Sequence, residues 1–199
     1  MRDVFQNAAS FELENDHVLE VETRGFGILS DRAGRYLFTR SVSDCSAIAL
    51  LSQDGHYAAV AHVASRWEFA EVGQEKVAAH ACRAWSEFET VLPDGVTFDG
   101  IIFGGWNSSM LSPRYPQTLA IASGWISDNF HQSALASPKI GMLQDLRFDG
   151  VRDSVVDLGT REIVAGRDED CLNRKFPSMF ENKRLALRYS CQWGLYPDL

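Results

Sequence analysis

The chain has 199 residues, 45% of them hydrophobic and 23% charged, with a formal net charge of -8. That length suits one domain with an extension and is enough to bury a substantial core. The acidic balance and scattered Lys and Arg argue against a nucleic-acid partner, and no apolar run approaches the length of a membrane-spanning helix. Cys45, Cys82, Cys171 and Cys191 are widely spaced with no Cys-x-x-Cys, which argues against a disulfide framework.

In chain order, Phe11 to Thr23 alternates like a strand, and Gly25-Phe26-Gly27 and Asp31 to Gly34 read as turn or loop. A short strand over Arg35 to Thr39 leads into the polar bend Ser41-Val42-Ser43-Asp44 before Cys45. A hairpin then follows, Ser46 to Gln53 and His56 to Ala64, joined at Asp54-Gly55. Asp-Gly between apolar arms predicts a two-residue type I′ turn. Both faces of the first arm are apolar, which predicts a strand covered on both sides.

Glu71 to Leu92 is the clearest helix, with Val77, Ala81, Trp85 and Phe88 at helical spacing and Cys82 expected to be buried beside them. Pro93-Asp94-Gly95 ends it, and a buried strand over Phe98 to Phe103 closes at Gly104-Gly105. A second helix is expected from Tyr115 to Phe130, then strands over Lys139 to Phe148, Asp153 to Asp157 and Arg161 to Ala165. The composition turns charged at Gly166. The expected division is therefore a core domain over 1–166 and a C-terminal extension over 167–199, either docked on the core or binding a partner.

Chemistry concentrates at the hairpin. A turn at Asp54-Gly55 makes paired positions sum to 109, so Ala47 faces His62 and Cys45 faces Ala64. Cys45 and His62 are then diagonal neighbours on one face, about 7–8 Å apart at the backbone. A shift of one residue would put them on opposite faces. A thiol, a base and a hydroxyl to orient the base, from Thr39, make a nucleophile–base–orienter set. The competing expectation is an inert buried cysteine. His56, at the hairpin tip, is the rival base. His80-x-Cys82 is not a convincing metal pattern, because helical residues two apart point in different directions.

Thr39, Cys45 six residues on and His62 seventeen after that resemble the catalytic pattern of the chemoreceptor glutamine deamidases, the CheD family. Ile101-Ile102-Phe103-Gly104-Gly105 resembles that family's Phe-Gly-Gly strand end. The family is similar in turn to the glutamine-deamidating toxins of the cytotoxic necrotizing factor type. The resemblance covers roughly residues 36 to 165, with few identities between the motifs. It implies an α+β fold of mixed sheets in a layered sandwich with flanking helices. The implied activity is hydrolysis of a protein glutamine to glutamate plus ammonia, with Cys45 as nucleophile, His62 as base and Thr39 as orienter.

The resemblance further implies substrate or oxyanion contacts from Ser43, Asp44, Gly104 and Gly105, and neither metal nor organic cofactor. The implied partner is a protein substrate, a chemoreceptor or a host protein, with no nucleic acid and no membrane insertion. The N-terminus, Met1-Arg2-Asp3-Val4, lacks a signal-peptide pattern, so the expected location is cytoplasmic, or secreted as an effector without such a signal. The alternatives are a non-catalytic interaction module on the same fold, or a transglutaminase or protease using the same Cys–His pair.

Overall fold

The computed structural model describes residues 18–42, 45–63, 73–105, 117–147, 149–166 and 186–188. Ten strands and two helices appear among them: β1 Val18–Glu20, β2 Gly25–Ser30, β3 Tyr36–Thr39, β4 Ser46–Ser52, β5 Tyr57–Val63, α1 Gln74–Glu89, β6 Phe98–Gly104, α2 Gln117–Leu135, β7 Ile140–Arg147, β8 Asp153–Asp157, β9 Glu162–Gly166 and β10 Ala186–Arg188. They form two five-stranded mixed sheets, ordered β10-β1-β3-β8-β9 and β2-β5-β4-β6-β7. The fold is α+β, a layered sandwich with both helices packed on one face of the second sheet.

Side-chain alternation on β4 and β5 explains the layering. Ile48, Leu50, Ala59 and Ala61 point to the helices, where they meet Val77, Trp85, Phe88 and Phe130. Trp85 packs edge-on against both Phe88 and Phe130, with ring centroids 5.7 Å apart in each pair. Ala47, Ala49, Ala58 and Val60 point the other way, toward Leu37 and Val156 of the first sheet and Leu158 just past β8. These small residues on the second sheet accommodate the larger ones opposite, which lets two pleated surfaces interdigitate. A central strand apolar on both faces therefore sits between two cores, as its sequence predicts.

The hairpin has the expected register: Ala47 pairs with His62 and Leu51 with Ala58. Its turn differs from the expected type I′. That turn needs positive φ at both central residues, whereas Gly55 has φ +76° and Asp54 is not among the positive-φ residues. The connection is four residues, Gln53 to His56, closed by the Gly55 N–H donating to the Ser52 carbonyl. The Asp54 carboxylate accepts from Ser52 Oγ and the His56 N–H, which holds the longer loop. Trimming one pair from each arm conserves the register, because a four-residue loop has the same parity as a two-residue one.

Other boundaries differ as well. Gly25-Phe26-Gly27 begins β2 instead of forming a turn, pairing with His62, Ala61 and Val60 of β5. Gly27 lies against Val21 and Leu19, so its lack of a side chain serves sheet packing there. The second helix runs on to Leu135. Cys82 is exposed. It lies one residue past Ala81, about 100° around α1 from the buried stripe of Val77, His80, Ala81, Ala84, Trp85 and Phe88. In the C-terminal extension, β10 adds to the first sheet parallel to β1. Of the strand expected over Phe11 to Thr23, Val18–Glu20 forms β1, and its part over Phe11 to His17, like the rest of 167–199, lies outside the described residues. No described helix is long and apolar enough to cross a membrane.

Candidate active site

Three chain segments bring the predicted residues to one end of the layer between the sheets. Cys45 immediately precedes β4, is half-buried, and packs against the inter-sheet cluster that contains Val42, Ala47 and Phe103. His62 lies near the end of β5, fully buried, and shares the face of Ala58 and Val60. Thr39 ends β3 in the facing sheet and alternates with Leu37, so it points back at His62. The Thr39 Oγ1 to His62 Nδ1 distance is 2.9 Å.

A second bond fixes the direction of the first. Thr39 Oγ1 donates its one proton to the Val21 carbonyl at 2.7 Å. Toward His62 it must therefore accept, so Nδ1 carries the ring hydrogen. The neutral ring then presents an unprotonated Nε2, and that atom is buried without a hydrogen-bond partner. Burial lowers the His62 pKa from 6.5 to about 4, which keeps the ring neutral and its Nε2 unprotonated at physiological pH. The resting arrangement is thus a neutral, oriented base on the face that carries the thiol.

The connection from β1 to β2 clamps this pair, a feature that sequence reasoning missed. The Val21 N–H donates to the Phe38 carbonyl, and the Val21 carbonyl receives the Thr39 hydroxyl. Three residues later the Arg24 N–H donates to the His62 carbonyl at 2.8 Å. One short crossover between the sheets holds both the orienter and the base. Only the pairing of β1 with β3 and of β2 with β5 reveals it. Ser154 was also missed. It pairs with Thr39, shares the inter-sheet face of Val156, and has a fully buried Oγ with no hydrogen-bond partner.

Gly104 and Gly105 form the floor under Cys45. Their φ values are +85° and +65°, a region that favours glycine. The Gly105 N–H donates to the Cys45 carbonyl at 2.6 Å. A Cβ on Gly104 would collide with that same carbonyl oxygen and with Val42 Cγ1. The Gly105 N–H is thus engaged by the Cys45 carbonyl in this arrangement. Upstream, the Ser41 N–H donates to Asp153 Oδ1 and the Val42 N–H to the Arg152 carbonyl, which anchors the approach to the thiol on β8. Ser43 and Asp44 lie outside the described residues. His56 is exposed at the hairpin tip, 2.6 Å from Asp31, at the opposite end of β5 from His62. Among the described residues, no group of three His, Cys, Asp or Glu is arranged to hold a metal ion.

Burial of a neutral histidine links stability to pH. The unfolded chain binds a proton at His62 near pH 6.5 and the folded chain only near 4, so between those values the unfolded state carries more protons. Stability therefore falls as pH drops from 6.5 to 4, by about 3 kcal/mol from this residue. His131 adds to the fall with the same sign, its pKa being lowered by burial and by Arg147. Urea unfolding at pH 7 and pH 4.5 measures the total. The fall is expected to be distinctly smaller in His62→Gln, and an unchanged fall would contradict the assignment. Compared with known proteins, the chain matches no family model and no curated protein.

Proposed function

We propose that the protein is a cysteine-dependent amidohydrolase acting on glutamine side chains of a target protein. The observation that carries this reading is the Val21–Thr39–His62 relay. It leaves the His62 Nε2 lone pair unengaged on the face of Cys45. An unpaired buried ring nitrogen is not peculiar to His62, since His131 Nδ1 is another; what sets His62 apart is the Thr39 bond that fixes its Nδ1 and the Cys45 thiol on the same inter-sheet face.

In this reading His62 Nε2 takes the Cys45 thiol proton and the thiolate attacks the carboxamide carbon of glutamine. The tetrahedral intermediate collapses, and the proton passes from His62 to the departing nitrogen, which leaves as ammonia. A water, deprotonated by His62, then splits the thioester to give glutamate and restore the thiol. The imidazolium exists only transiently, because the site that makes Nε2 available also disfavours its charged form. Thr39 keeps the ring oriented through both half-reactions. Conversion of an amide to a carboxylate is an electrostatic switch on the target. The resemblance to chemoreceptor deamidases favours receptor glutamines, with host proteins as the alternative targets.

The test pairs ammonia release with intact-mass analysis. Wild type and Cys45→Ser are incubated with chemoreceptor cytoplasmic domains and with a eukaryotic lysate. Deamidation gives a target gain of about one mass unit, lost in Cys45→Ser. Release from neither source would overturn the proposal. Crosslinked products that release ammonia without the one-unit mass gain would point instead to transglutamination.

A further inference from the structure

Three described non-glycine residues have left-handed backbone: Arg24 at φ 67°, Ser41 at 59° and Arg161 at 58°. Such a conformation is strained for a non-glycine residue. Arg161 has a packing use, since its side chain covers Gly55. Ser41 has its N–H held by Asp153. Arg24 differs from both. Its backbone task, donation to the His62 carbonyl, is one a glycine would perform without strain. Its side chain is exposed, and its guanidinium makes no hydrogen bond or ion pair among the described residues. Neither the turn nor packing accounts for an arginine there.

Its position supplies the reason. Arg24 directly precedes Gly25, which pairs with His62, which in turn pairs with Ala47 two residues past Cys45. Two strand spacings, about 10 Å, separate Arg24 from the strand of the thiol. Arg40, also on this side, is paired with Glu20 at 2.7 Å. The chain as a whole carries -8, which repels anionic partners. Arg24 is thus an exposed cation two strands from the thiol's strand, on a chain whose net charge is negative.

We propose that Arg24 is a specificity-determining residue, presenting a positive charge at the mouth of the Cys45 site to recruit acidic polypeptide segments. Resting on the deamidase reading, it assigns the substrate class as glutamines flanked by Asp or Glu. The charge acts on the approach of substrate, and the reaction steps are unaltered.

Two alkylating probes of nearly equal size test it, neutral iodoacetamide and anionic iodoacetate. Their rates at Cys45 are resolved from those at Cys82 by peptide mass mapping. A structural disturbance of the thiol changes both rates together, whereas a lost cation changes their ratio. At low ionic strength, where the Debye length is about 30 Å, the iodoacetate-to-iodoacetamide ratio at Cys45 is expected to fall about two- to fourfold in Arg24→Gly and Arg24→Gln. Arg24→Lys is expected to retain the wild-type ratio, and added salt to lower it. An unchanged ratio in Arg24→Gly and Arg24→Gln would overturn the assignment. Because this readout needs no deamidation, its failure is distinct from a failure to release ammonia, which would sink the enzymatic reading and the glutamine substrate class with it while leaving the charge effect at Cys45 to be read from the ratio.

Discussion

His62→Ala is expected to lower ammonia release by about 10²–10⁴-fold, the usual contribution of a positioned general base, while His56→Ala retains the wild-type rate. The two histidines lie on the same hairpin but in opposite settings. His62 is buried, has Nδ1 bound to Thr39, and leaves Nε2 without a partner. His56 is exposed at the tip with its Nδ1 beside Asp31. Rate assays on both variants, alongside thermal melts to establish that each is folded, decide between them. Loss of activity in His56→Ala with retention in His62→Ala would mean that the base has been misassigned.

Gly104→Ala is expected to destabilise the fold by at least about 3 kcal/mol, the sum of a left-handed backbone penalty and of overpacking. The added methyl would meet the Cys45 carbonyl oxygen, which is backbone, and Val42, which is fully buried. Neither can yield without moving the thiol. Gly95→Ala is the matched control. Gly95 has φ +75°, but nothing lies within 4 Å of an added Cβ, so only the backbone penalty of about 1 kcal/mol is expected. Melting temperatures then differ between the variants by roughly 4–8 °C for a chain of this size. Equal losses in the two variants would show that Gly104 is a turn glycine with no special approach to Cys45.

The parts of the molecule that were legible in the sequence are those governed by local periodicity and parity. The pairing of Ala47 with His62 followed from loop parity and survived a different turn type. β8 runs from Asp153 to Asp157 as expected, because turn residues bound it on both sides. The long apolar stripe of α1 announced its helix, although Cys82 lies just off that stripe and is exposed.

What escaped depends on partners distant in sequence. Gly25-Phe26-Gly27 looked like a turn because glycine there serves contact with Val21, which only the assembled sheets supply. The Val21 carbonyl and the Arg24 N–H are backbone groups, so no side-chain motif marks their hold on Thr39 and His62. Ser154 is brought beside Thr39 by a pairing between β3 and β8 across more than a hundred residues. The proximity of Cys45, His62 and Thr39 could be proposed from spacing, and the backbone clamp on Thr39 and His62 could not.

The most direct test of a neutral, oriented base on the face that carries the thiol is a nitrogen–proton NMR titration of histidine-labelled protein. The His62 signals are assigned by their loss in His62→Gln. The expected result is a ring protonated at Nδ1 and unprotonated at Nε2 at pH 7, titrating near pH 4. A ring protonated at Nε2, or an imidazolium at pH 7, would contradict the arrangement and with it the role of His62 as the base for Cys45.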